Sequence, residues 1–251
     1  MQAISQQNWL ESPLGRYLLA SEQAIYDAHV ADIFGYNALQ IGLLGMDLLQ
    51  QSRIAKRLHV DVTAGDVRCE SEYLPFASSS IDLLCLPHVL EFSDNQHQTL
   101  REVERVLVPE GHLILTGYNP MSAWGVRRWC SKKQHYPWCG ATLSLRRIKD
   151  WLALLGLEYV SGGTQAFIFP INDEKWIQRQ QCIERFVSQW NLPMGGIYYI
   201  VAKKRVVNMH LIKPNWKNSL VKSALVATQQ KTKPSQKNSS KISHTHANKI
   251  S

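Results

Sequence analysis

Glu70–Asp94 reads ESEYLPFASSSIDLLCLPHVLEFSD, and Leu100–Pro120 reads LREVERVLVPEGHLILTGYNP. Ile81–Leu86 is apolar at almost every position, as a strand buried on both faces of a parallel sheet must be. His97–Leu107 places Leu100, Val103, Val106 and Leu107 on one side and Arg101, Glu102, Glu104 and Arg105 elsewhere, the pattern of a helix with one buried face. Pro109-Glu110-Gly111 is a turn signal, and His112–Gly117 is a second buried strand. Strand, helix, turn and strand in this order make a crossover unit of a helix-covered parallel sheet.

The same alternation continues on both sides. Ser5–Phe34 has apolar residues near helical spacing, and Asn37–Gly42 is a short strand ending in glycine. Met46–Arg57 is expected to be helical, with Leu48, Leu49 and Ile54 on one side. His59–Thr63 and Asp66–Cys69 are short strands around Ala64-Gly65. Ser144–Leu155 is a helix with Ser144 as N-cap, and Leu157–Val160 is a strand that resumes near Ala166–Phe169. Asn172–Trp190 is helical and Ile197–Val207 is a final strand.

The two quoted stretches resemble the S-adenosylmethionine-dependent methyltransferases of class I, in the type 11, ubiquinone-biosynthesis-like branch. That family shows an acid four positions before the Leu of L-P-F, a Phe/Ile-Asp strand, a V-L-E/H-H-like segment, and E-x-x-R-V-L-x-P-G-G before the next strand. The counterparts are Glu70, Leu74-Pro75-Phe76, Ile81-Asp82, Val89-Leu90-Glu91 and Glu102–Gly111. The resemblance is clear over about fifty residues and weaker over 35–207. It implies a Rossmann-like α/β fold: a mostly parallel sheet with an antiparallel last strand, Ile197–Val207, and helices on both faces. It also implies S-adenosylmethionine as cofactor and a small-molecule or lipid-like acceptor.

In such sheets ligands bind beyond the C-terminal ends of the strands. The residues expected around the cofactor are therefore Gly42, Gly45, Glu70, Pro87 and His88, and those expected around the acceptor are Tyr118, Asn119, Trp124, Arg127 and Arg128. The first motif departs from the family. Gln40 stands where the family has an acid, and Leu44 where it has the second glycine of G-x-G-x-G. Either Asp61 or Asp66 could be the ribose-binding acid. Asp82 reads as a backbone anchor, Glu102 with Arg105 as a surface ion pair, and Trp124–Trp129 as either a packed helix or an acceptor wall. The sulfonium is already an activated donor, so the protein mainly aligns the reactants and no catalytic residue is named.

A loss of the glycine loop also allows a second reading, a binding protein that keeps the fold without catalysis. A nicotinamide-dependent oxidoreductase would need G-x-G-x-x-G after the first strand, which Gly42–Leu48 lacks. The five cysteines are odd in number and lack C-x-x-C spacing, which argues against a disulfide framework and a zinc site. No metal is expected. No apolar run approaches the ~18 residues of a membrane span, and no secretory leader is evident, so a cytoplasmic protein is expected.

The chain carries a formal +8 charge, and its placement matters more than its size. Residues 208–251 hold eight Lys and no acid, whereas the first 207 hold twenty basic and twenty acidic residues. The division expected is a helical segment over 1–34, a methyltransferase-like domain over 35–207, and a basic, largely disordered tail over 208–251. Such a tail is suited to weak polyanion contact.

Overall fold

The computed structural model describes residues 8–130, 136–187 and 194–205. The chain divides after Asn208, and the tail expected beyond it lies outside the described residues. Seven strands form one sheet: β1 (Asn37–Ile41), β2 (Lys56–Asp61), β3 (Val67–Arg68), β4 (Ile81–Pro87), β5 (Leu107–Tyr118), β6 (Leu157–Gln165) and β7 (Ile197–Lys204). Their order is β3-β2-β1-β4-β5-β7-β6. Pairings from β3 to β5 are parallel, and β7 runs antiparallel to both β5 and β6. This is the mostly parallel sheet with a reversed last strand that the sequence implied.

Strand alternation sorts the core into two layers. Leu84 and Leu86 of β4, with Leu113 and Leu115 of β5, face Leu100 and Val103 of α3 (Gln96–Val106) and Ile148, Trp151 and Leu152 of α5 (Leu145–Leu154). Leu83, Cys85 and Ile114 face the other way, onto Tyr26 and Val30 of α1 (Pro13–Val30) and onto Leu48, Leu49 and Ile54. α1 starts at Ser12, whose side chain accepts a hydrogen bond from the Gly15 amide. It thereby covers the sheet face with Leu14, Leu18, Ile25 and Tyr26. The remaining helices are α2 (Val89–Phe92), α4 (Ala123–Cys130) and α6 (Glu174–Val187). No described helix is long and apolar enough to cross a membrane.

The helix expected over Met46–Arg57 is absent: residues 42–55 form turns, and β2 already begins at Lys56. Side chains claim the amides a helix would have used. The Leu48 amide donates to Gln40 Oε1 (2.9 Å), the Leu49 amide to Asp47 Oδ1 (3.0 Å) and the Ile54 amide to Ser52 Oγ (3.2 Å). Leu48, Leu49 and Ile54 are buried all the same, so the apolar spacing reported burial and not periodicity. Two further boundaries differ. β6 runs unbroken to Gln165 and stops where Ala166 adopts a φ of +59°, so the expected resumption near Ala166–Phe169 is not a strand. Pro109-Glu110-Gly111 is a bulge inside β5, with Glu110 at φ +65° and a register shift against β4.

Asp82 anchors the start of β1, its Oδ2 accepting from the amides of Tyr36 (2.8 Å) and Asn37 (2.9 Å). Glu102 and Arg105 do more than pair on the surface. Arg105 donates to both Glu102 oxygens, to the Leu74 carbonyl (2.9 Å) and to the Phe76 carbonyl (2.8 Å), while Glu102 Oε2 accepts from the Leu74 amide (3.1 Å). The E-x-x-R element is thus a clamp on the L-P-F loop. Arg105→Ala is expected to cost about 2 kcal/mol in denaturant unfolding, the loss of several charge-assisted hydrogen bonds discounted for partial exposure. Arg105→Lys should recover only part of it, because an ammonium lacks the planar fork.

Candidate active site

A cavity of about 520 Å³ opens at the C-terminal ends of β1, β2 and β4, lined there by Ile41, Asp61 and Pro87. It lies between β1 and β4, where the strand order reverses, the usual ligand position in open α/β sheets. Of the residues expected around a cofactor, Gly42, Glu70, Pro87 and His88 line it and Gly45 does not. Asp61 lines it as well. Asp66 does not, its Oδ2 instead accepting from the His59 amide (2.8 Å).

The glycine loop is held by an amide side chain. Gln40 is fully buried, and its Nε2 donates to the carbonyls of Gly42 (3.2 Å), Leu43 (3.2 Å) and Met46 (2.8 Å). Its Oε1 takes the Leu48 amide described above. Gly42 sits at φ +76°, where glycine carries no steric penalty, and its amide donates to the Val60 carbonyl (2.7 Å). Leu43 follows at φ +50°, a left-handed conformation uncommon for leucine. Gln40→Glu would replace the amide donor by an acceptor facing three carbonyls. A loss of about 3 kcal/mol is expected, readable as a lowered denaturation midpoint at unchanged slope. Gln40→Leu should cost less, because it removes the acceptor clash.

The cavity is acidic. Asp61, Glu70, Glu72 and Asp94 contribute carboxylates, and among the described residues no Arg or Lys lines it. Asp61 Oδ2 holds the Thr63 amide (3.1 Å) and hydroxyl (2.8 Å). Partial burial pushes the Glu72 carboxyl up, but hydrogen bonds from Ser93, Asn95 and Ser71 outweigh it and keep the pKa below the ordinary value.

His88 closes the floor. It has a left-handed backbone, φ +53°, just after β4. Its Nδ1 lies 3.0 Å from Glu91 Oε2, and its Nε2 contacts Glu22 Oε1 of α1. All three residues are at most 4% exposed. Burial, the largest influence, pushes the His88 pKa down, and the two flanking carboxylates push it further up, to about 10. The His88 ring stacks on Tyr118 at 4.1 Å, and the Tyr118 hydroxyl donates to that of Tyr136 (3.4 Å) on the cavity wall. Glu91 also accepts the Tyr118 amide.

The five residues expected around an acceptor do not line this cavity. Tyr118, Asn119, Trp124 and Arg128 instead line a separate hollow of about 10 Å³, room for about one water molecule. Trp124 is 1% exposed, with its indole N–H on the Ile168 carbonyl (2.9 Å). Asn119 Nδ2 donates to the Gly195 carbonyl (2.8 Å), Arg128 to the Cys139 carbonyl (2.8 Å), and Arg127 lies over the Trp138 ring at 5.1 Å. The cavity wall on that side is made by Phe92, Tyr136 and Cys139. Cys69, Cys85, Cys130 and Cys139 are free thiols.

Sequence reasoning passed over Glu22. Its signal was an acid in line with an apolar stripe: Leu14, Leu18, Glu22 and Tyr26 follow one another at intervals of four along α1, and a charge in a buried stripe needs a buried partner.

Residues 33–115 match the family model of a methyltransferase domain. The sheet order and the reversed β7 agree with that match. Among individual proteins, it is 26% identical over 232 residues to YafS of Escherichia coli (strain K12), an uncharacterized protein, covering 90% of this chain and 93% of YafS. A S-adenosylmethionine-dependent methyltransferase from Thermotoga maritima shares the fold, with a TM-score of 0.60 and 16% identity over 79% of this chain and 94% of that one. So does the [4+2]-cyclase SpnF, at 0.52 and 15% over 74% and 80%. One fold thus carries more than one reaction, and the reaction has to be argued from the site.

Proposed function

We propose that the cavity binds S-adenosylmethionine and that the protein transfers its methyl group to a small-molecule or lipid-like acceptor. The observation that carries this reading is an acid-lined cavity at the β1/β4 switch point with Asp61 at the end of β2. The cofactor supplies an activated methyl group on a positively charged sulfur. Asp61 is placed to accept hydrogen bonds from ribose hydroxyls, and Glu70 from an adenine amino group. Gly42 allows close approach of the β1 loop, and Pro87 and His88 form the floor. Phe92 and Tyr136 offer apolar faces to an acceptor and exclude water from it.

A dinucleotide fits poorly. Its pyrophosphate would need a helix N-terminus after β1, and residues 42–55 contain no helix. A cytoplasmic location, and weak polyanion contact through the Lys-rich residues 208–251, complete the reading.

Thermal unfolding tests it. S-adenosylhomocysteine at a hundredfold excess over its Kd should stabilise the protein by about 2.7 kcal/mol, and NADH should leave it unchanged. A shift with NADH and none with S-adenosylhomocysteine would refute the assignment.

A further inference from the structure

Three titratable side chains, Glu22, His88 and Glu91, meet in the interior beside the cavity, and only His88 is on its lining. Two carboxyl groups face one imidazole, so the ring can offset the charge of at most one of them. Tyr26 of α1, Tyr118 of β5 and Tyr198 of β7 pack on it with phenols whose pKa values are raised, chiefly by burial, and Arg128 is the cation whose charge reaches Tyr198. Gly117 is bare at this point; a Cβ there would collide with the Tyr198 hydroxyl and stand 3.2 Å from Glu91 Oε1. The charge is therefore enclosed, with neither salt nor solvent to screen it, and its nearest opening is the cavity floor.

A buried ion cluster is costly and is not explained by stability, since a well-packed apolar set is often as stable or more so. Fixed charge in a water-excluded site acts strongly on what binds there.

We propose that Glu22, reaching across from the N-terminal helix, is a positioning residue whose charge, relayed through the His88–Glu91 pair, makes the cavity select a cationic sulfonium over a neutral thioether. This rests on the cofactor reading above and extends it: the helix before the matched methyltransferase segment becomes part of the binding site. It assigns a consequence as well. Product, which has lost the positive charge, is held less tightly than cofactor.

The two ligands differ by one methyl group and one positive charge, so a change in their affinity ratio when a charge outside the cavity lining is removed reads the field. Calorimetric titration of the full-length protein with S-adenosylmethionine and S-adenosylhomocysteine gives that ratio. Glu22→Gln keeps the size of the side chain and an oxygen for the His88 N–H while removing the charge. It is expected to weaken S-adenosylmethionine about tenfold, the scale of one unit charge acting across a poorly screened wall, and S-adenosylhomocysteine less than twofold. Glu104→Gln, a charge change on α3 away from the cavity, should leave both affinities unchanged. Equal weakening of both ligands by Glu22→Gln would make Glu22 merely structural and overturn the inference while the cofactor reading stands; so would no change in either. A wild-type protein that binds neither ligand would overturn both. Should Glu22→Gln not fold, Glu91→Gln removes the same charge from the other side of the ring and carries the same expectation.

Discussion

His88→Leu should lower the stability of the protein by about 3–5 kcal/mol near neutral pH, the cost of stripping a buried ion cluster of one partner. Both ring nitrogens of His88 are engaged by carboxylates, and Glu22 and Glu91 are 1% and 2% exposed. Without the imidazolium both buried acids lose the ring that each of them contacts. The effect has a pH signature. The folded-state pKa of His88, about 10, lies above the ordinary histidine value of 6.5. A raised pKa contributes stability that is fully present below the unfolded value and is lost as pH rises through the folded one. The gap between wild type and His88→Leu should therefore be widest at and below about pH 6.5 and narrow as pH rises from there to about 10. Denaturant unfolding across that range checks it. A gap that stays constant from pH 7 to 10.5 would mean that the ring is neutral in the folded protein.

Gly42→Val is expected to weaken cofactor binding at least tenfold, about 1.4 kcal/mol, and in a folded protein. The φ of +76° at Gly42 is open to glycine and strained for a branched residue. A Cβ there would stand 3.2 Å from Val89 Cγ2, and the added methyls of valine would crowd either Val89 or the cavity. Gly42→Ala should fall between, because alanine brings the strain without the branch. Unchanged affinity for S-adenosylhomocysteine in folded Gly42→Val would move the ligand away from this loop.

The fold was legible wherever one pattern had one cause. Ile81–Leu86 is buried on both sheet faces, and its sequence is apolar at every position but Asp82. The helix of Gln96–Val106 shows its buried stripe plainly, and Ser144 caps the helix that follows it. The Met46–Arg57 segment misled because local side-chain bonds from Gln40, Asp47 and Ser52 set its turns, and a spacing rule does not weigh such bonds.

The site was legible in part for a similar reason. Gly42, Glu70, Pro87 and His88 follow strand ends, which a sequence marks well. Trp124 and Arg128 also follow a strand end, yet the chain turns them onto Ile168 and the Cys139–Gly140 carbonyls, away from the cavity. Glu22 lies 66 positions from His88, and only the packing of α1 on the sheet brings the two together. Gln40 was visible as a departure from the family's acid. Its role as the organiser of the loop needed the four hydrogen bonds it makes.

The central claim is that the switch-point cavity holds S-adenosylmethionine with Asp61 at its ribose. Calorimetric titration of the full-length protein, Asp61→Ala and Asp66→Ala tests it most directly, because the two acids are five residues apart and only Asp61 lines the cavity. Saturable binding at one ligand per chain, weakened about tenfold by Asp61→Ala and untouched by Asp66→Ala, is the predicted result. No binding by the wild type, or an affinity that Asp66→Ala lowers and Asp61→Ala does not, would contradict it.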